Sequence, residues 1–273
     1  MTIKSFFAKR KKFKQIARDI KSVKIQGARN IARKALEAYH AIPTKKSKRK
    51  LISLRPTEPM MENVLDLAEK QSYEKIVAHF DDAQEKINKN IFKLIKNNSV
   101  VFTHCHSTNV TNALIYAKKK GKKFQVYNTE TRPLFQGRKT AKELKKNKIK
   151  VTMFVDSAVG VALSKEQGTK KVNLILLGAD AITPKGVVNK IGSEVIAQIA
   201  KNQKIPIYIV ADSWKFTRAK VPLENRKLNE IWDRAPKNIK IKNPAFEFIE
   251  RKYLSGIVSE HGTKSFGDFL RKI

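Results

Sequence analysis

The sequence predicts an α/β protein in which a helical N-terminal segment precedes a doubly wound, mostly parallel sheet. Two observations predict it. Through about residue 97, apolar side chains recur at helical spacing among basic ones, as at Val64, Leu65, Leu67 and Ala68 or at Ile76, Val77 and Phe80. From Ser99 onward the texture changes to short apolar runs separated by amphipathic stretches, the alternation that a parallel sheet with crossover helices requires. The expected domains are residues 1–97, helical, and 98–273, α/β.

Within the first segment, breaks at residues 25–28, 42–45 and 54–57 divide three to five helices, and the last break ends in a helix start. In the second, residues 100–103, 124–128, 151–155, 172–177 and 207–211 are apolar enough to be strands. Residues 109–120, 140–148, 157–163 and 192–202 fill the gaps as helices. Ligands of such a sheet gather at the carboxyl ends of its strands. The chain has no internal repeat and no low-complexity linker.

At 273 residues the chain can bury a sizeable core, and no apolar run approaches the roughly 20 residues that a membrane span needs. The N-terminus has too short an apolar stretch for a signal peptide, and a single cysteine excludes an internal disulfide, so a reduced, cytoplasmic setting is expected. The net charge is +34, and the first 50 residues hold 17 Lys and Arg against 2 acids. Such a segment binds polyanions without sequence preference and releases them in salt. The charges are spread through the whole chain and no nucleic-acid motif accompanies them, so solvated basic helix faces are the simpler expectation.

Chemistry concentrates at the predicted strand ends. Thr103-His104-Cys105-His106-Ser107 places the one cysteine between two of the five histidines, directly after an apolar run and before a helix start, where the helix dipole favours a thiolate. His104 and His106 read as hydrogen-bonded scaffolding. No second cysteine or acidic cluster follows at zinc spacing, so no metal is expected. Asp180 ends a strongly apolar run, where a desolvated carboxyl stays protonated and serves as an acid. Asp156 and Asp212 occupy similar strand ends, and position does not choose among the three. The cations fit an anionic ligand: Lys190 beside Asn189 just before a helix start, Lys215, the break Gln26-Gly27-Ala28-Arg29, and Arg55 in Arg55-Pro56-Thr57.

These segments together resemble the superfamily of sugar-phosphate isomerases and initiation factor 2B regulatory subunits, with archaeal ribose-1,5-bisphosphate isomerases as the matching branch. The resemblance is carried by Leu54-Arg-Pro-Thr57, Thr103-His-Cys-His-Ser107, Glu130-Thr-Arg-Pro133 with Gln136-Gly137, Asp156-Ser157-Ala158, Gly178-Ala-Asp180 and Asn189-Lys-Ile-Gly192. It implies a Rossmann-like second domain, Cys105 as proton acceptor and Asp180 as proton donor. Substrate contacts would come from Gln26, Gly27, Ala28, Arg29, Arg55, Asn189, Lys190 and Lys215. It further implies a bisphosphorylated sugar converted from ribose to ribulose form in AMP salvage, no cofactor, and a homo-oligomer, dimeric or hexameric. The alternatives within the superfamily are a non-catalytic subunit and a methylthioribose-1-phosphate isomerase. Two departures stand out: Gln26 where the family carries Arg, with Arg29 one turn away as a compensating cation, and a shorter loop from Asp180 to Asn189.

Overall fold

The computed structural model describes residues 3–273; Met1 and Thr2, included in the expected helical segment, lie outside the described residues. Five helices come first: α1 (Ile3–Lys21), α2 (Ala28–Ala41), α3 (Lys45–Ile52), α4 (Pro59–Leu67) and α5 (Tyr73–Leu94). The three foreseen breaks fall between α1 and α2, α2 and α3, and α3 and α4. Local chemistry sets the starts. The Thr44 hydroxyl and Ser47 cap each other's backbone at α3, Pro59 occupies the first turn of α4, and Ser72 accepts from the Lys75 amide at α5. Ile20, Ile31, Leu51, Met61 and Leu65 form a fully buried centre for these helices.

The α/β part contains β1 (Ser99–Thr103), α6 (Thr108–Lys119), β2 (Phe124–Thr129), α7 (Gln136–Lys146), β3 (Lys150–Phe154), α8 (Val159–Ser164) and β4 (Leu174–Leu177). It continues through β5 (Ala181–Thr183), β6 (Gly186–Lys190), α9 (Ser193–Asn202), β7 (Ile207–Val210), β8 (Phe246–Glu250), β9 (Gly256–Ser259), β10 (Gly262–Lys264) and α10 (Phe266–Lys272). Seven strands form one sheet in the order β10-β9-β7-β4-β1-β2-β3, parallel except for β10. All five residues of β1 are buried, as expected of a strand covered on both faces. Alternation along it divides the core. Val101 meets Ile87 and Ile91 of α5 and Leu114 of α6, whereas Val100 and Phe102 join Ala162, Ile196 and Phe269 beneath α8, α9 and α10. Helix α5 thus packs on the sheet.

Two expectations are corrected here. The segment from Asp180 to Asn189, read as a loop, is the β5–β6 hairpin, which pairs with β8 in a second, antiparallel three-stranded sheet. The region after residue 211, for which no elements were expected, supplies β8, β9, β10 and α10. Its strands are three to five residues long, with Glu in β8, Thr and Lys in β10 and only Ile257 and Val258 apolar in β9, so no long apolar run announces them. The helical part is tied to this region by the Asn63 side-chain amide, which donates to the Trp214 and Phe216 carbonyls at 2.7 and 2.9 Å, and by His79 stacked 3.5 Å from Trp214.

Candidate active site

Strand order in the large sheet reverses between β1 and β4, and a crevice outside the carboxyl ends of such a pair is where open α/β sheets hold their ligands. A cavity of about 110 Å³ lies there. The α/β part lines it with Cys105, two residues past β1, Asp180, three past β4, and Asn189, Lys190 and Lys215. The helical part closes it with Gln26, Gly27, Ala28, Arg29 and Arg55. Every site residue picked from the sequence therefore meets at one cavity.

Cys105 is held by its backbone in the left-handed region, φ +66°. Its N–H donates to Thr131 Oγ1 and its carbonyl accepts from the Thr140 hydroxyl, both at 2.9 Å. Such a backbone costs a non-glycine residue on the order of 1 kcal/mol or more, and those two threonines fix it. Burial pushes the thiol up to about 11, against the opposing pull of Lys190. This corrects the expected preference for thiolate: lost hydration outweighs the pull of the helix start, so the thiol favours its protonated form at neutral pH. The histidines are scaffolding. The Ile191 carbonyl, 2.8 Å from His104 Nε2, can only accept, so Nε2 carries hydrogen and Nδ1 accepts from the Thr129 hydroxyl. Burial keeps that ring neutral. His106 Nδ1 lies 3.0 Å from Thr140 Oγ1, and burial, helped by Lys139, lowers its pKa to about 4.

Geometry separates the three strand-end aspartates. Asp156 accepts the Thr131 and Arg132 amides at 2.8 and 2.6 Å, which positions the threonine that holds Cys105. Asp212 accepts the Trp214 amide at 2.9 Å and meets His79 Nε2 at 3.3 Å. Asp180 is the one of the three that lines the cavity. Burial raises its pKa, opposed chiefly by Lys215, Lys190 and Arg55, the direction a proton donor needs.

Among the cations, Lys215 Nζ donates to the Ala179 carbonyl at 2.6 Å, anchoring the loop that carries Asp180. The Lys190 ammonium lies 4.6 Å from the centre of the Phe246 ring. Asn189 donates to Ser193 Oγ at 2.9 Å. Gly27, at φ +82°, opens α2 without a side-chain cap, leaving first-turn amides for an anion. Arg29 departs from expectation. Its guanidinium donates to Asp81 Oδ1 at 2.8 Å and Gln84 Oε1 at 3.0 Å on α5, so it braces the cavity wall and is not a free replacement for the cation missing at Gln26.

Sequence reasoning missed the acids around Arg55. Arg55 Nη2 lies 3.0 Å from Glu224 Oε2 and 3.5 Å from Glu58 Oε1, and Arg226 lines the cavity beside them. Glu58 follows Thr57 immediately and could have been read with Arg55, but an acid before Pro59 reads as an ordinary helix start. Glu224 and Arg226 carry no sequence signal.

A doubly wound chain that gathers a thiol, a desolvated carboxyl and several cations at its switch point belongs to the class of α/β proteins with a polar, cation-rich crevice at the carboxyl ends of the strands. More narrowly, this chain belongs to the initiation factor 2 subunit family, which matches residues 24–265. It is similar to the ribose 1,5-bisphosphate isomerase of Methanocaldococcus jannaschii, 34% identical over 91% of this chain and 90% of that one. It is also similar to the methylthioribose-1-phosphate isomerase of Fervidobacterium nodosum, 31% identical over 87% of this chain and 77% of that one. Among solved structures, the Pyrococcus horikoshii translation initiation factor eIF-2B superposes with a TM-score of 0.81 at 24% identity, covering 94% of this chain and 98% of that one, a likeness of fold. Among the described residues, no helix is long and apolar enough to cross a membrane.

Proposed function

We propose that this chain is a sugar-phosphate aldose–ketose isomerase that converts ribose 1,5-bisphosphate to ribulose 1,5-bisphosphate, within nucleotide (AMP) salvage. The observation that carries the reading is the convergence of Cys105 and Asp180 on one cavity ringed by Arg55, Lys190 and Lys215. The relatives named as isomerases support it.

In this reading Asp180 gives its proton to the ring oxygen as the bond from that oxygen to C1 opens. The sulfur of Cys105, as thiolate, takes the proton from C2, and the C–H electron pair becomes the C1–C2 double bond. The enol then returns the O2 proton to Asp180 and takes the proton of Cys105 at C1, which leaves the ketone at C2 and restores both groups. The cations hold the phosphates and keep this geometry while water is excluded. Lys190, the first opposing influence on the thiol, is placed to stabilise the thiolate when it forms.

The test is incubation of the purified protein with ribose 1,5-bisphosphate and, separately, with methylthioribose 1-phosphate, followed by phosphorus NMR. Ribulose 1,5-bisphosphate from the first is expected. Turnover of the second alone transfers the activity to the other isomerase class. Turnover of neither, with co-purification of initiation factor 2, favours a non-catalytic subunit. The homo-oligomer implied by the resemblance is read in the same preparation by sedimentation.

A further inference from the structure

Glu58 has no part in the chemistry above, yet it is the most deeply buried acid in the cavity wall, its side chain 1% exposed. Its Oε2 has no hydrogen-bond partner, and neither do Nε and Nη1 of the neighbouring Arg55. Orphaned buried donors and acceptors of this kind cost free energy unless a ligand satisfies them. The Arg55 nitrogen between Nε and Nη1 is engaged: Nη2 faces Glu224 at 3.0 Å and Glu58 Oε1 at 3.5 Å. An oxyanion that accepts from Arg55 Nη1 and from a proton on Glu58 Oε2 satisfies two of these buried orphans at once.

We propose that Glu58, carrying its proton, donates a hydrogen bond to a substrate phosphate seated on Arg55. The proposal deepens the sugar-phosphate reading and rests on it for the ligand class. It also answers the departure at Gln26: a neutral acid supplies a phosphate donor in a site that lacks one of the expected guanidinium groups, and Arg29 is committed to α5. The groups facing Glu58 are Arg55 from its own connection, Asp180 before β5, Lys215 after β7 and Glu224 before β8. Burial, first, and Asp180, second, lift its pKa to about 8 against Arg55 and Lys215, so the carboxyl keeps its proton at neutral pH. An ionised Glu58 would instead repel the phosphate.

Calorimetric binding of ribose 5-phosphate separates these states, because a phosphate monoester has its second ionisation near pH ~6 and is dianionic throughout the alkaline range. With the proton required, wild-type affinity falls about thirtyfold between pH ~7 and pH ~9.5 as Glu58 ionises. Glu58→Gln, which keeps a neutral donor, holds wild-type affinity at the lower pH and stays flat. Glu58→Ala binds about tenfold more weakly at the lower pH. Tighter binding by Glu58→Gln at the lower pH, a wild-type profile as flat as the variant's, or no binding of ribose 5-phosphate by the wild type overturns the proposal. The first two readouts do not need Glu58→Ala to fold. Binding with the expected pH profile but no turnover of ribose 1,5-bisphosphate fails the isomerase reading alone.

Discussion

Gly178 lies against Ser107 so closely that a Cβ on the glycine would sit 2.8 Å from both Cβ and Oγ of the serine. Ser107 ends the turn that carries Cys105, and Gly178 opens the turn that carries Asp180. Absence of a side chain at this position lets the two catalytic candidates approach across the β1–β4 crevice. Gly178→Ala forces the turns apart or displaces Ser107, which also caps α6 at Val110 N. The expected cost is about 1–3 kcal/mol of stability from overpacking. Turnover of the folded variant should fall at least about a hundredfold, since misplacement by roughly 1 Å costs that much. Thermal melting and initial rates check both.

Rate should climb with pH. The thiol sits at about 11, so the thiolate fraction grows about tenfold per pH unit through the neutral and mildly alkaline range. An increase in kcat/KM of that slope is expected in wild type up to the Glu58 ionisation at about 8, above which weaker phosphate binding offsets it, and for as long as Asp180 keeps its proton. A profile flat from pH ~6 to pH ~9 would place the base elsewhere.

Glu58 makes the folded chain sensitive to alkali. Its carboxyl ionises near 4.5 in the unfolded chain and at about 8 in the folded one, so between those values the folded state holds a proton that the unfolded state has released. Stability therefore declines as pH rises through that window and levels above it. Glu58→Gln removes the Glu58 share of this dependence and should be the more stable protein at pH ~9, by a few kcal/mol at most. Equal denaturation midpoints at that pH would show that Glu58 is not the group responsible.

Lys215 is 5% exposed and bonds the Ala179 carbonyl, so it supports the Asp180 turn as well as supplying charge. Lys215→Met keeps most of the aliphatic volume and removes both roles. A fall in kcat together with a rise in KM is expected; a rise in KM alone would reduce Lys215 to a binding cation.

The alternation of apolar runs and amphipathic stretches makes the parallel sheet legible, because buried parallel strands must be continuous hydrophobic segments. β1 and β4 were readable for that reason, and with them Cys105 and Asp180 as residues at strand ends. The β5–β6 hairpin was not, since Gly186, Asn189 and Lys190 break the apolar pattern while pairing with β8 supplies the order. The choice among Asp156, Asp180 and Asp212 depends on which backbone amides lie nearby, and that is set by loops distant in sequence. Arg29 looked free because its partners, Asp81 and Gln84, are more than fifty residues away. The thiol misled for a similar reason: the helix start is local and visible, whereas the burial that outweighs it is assembled by the whole cavity.

The central claim is that Cys105 and Asp180 act as one proton-transferring pair. Its most direct measurement is the initial rate of ribulose 1,5-bisphosphate formation from ribose 1,5-bisphosphate by wild type, Cys105→Ser and Asp180→Asn, with circular dichroism as the control for folding. The account predicts a wild type that turns over and two folded variants slowed by about a hundredfold to ten-thousandfold, the usual contribution of a positioned acid or base. Wild-type rates in either folded variant would contradict it.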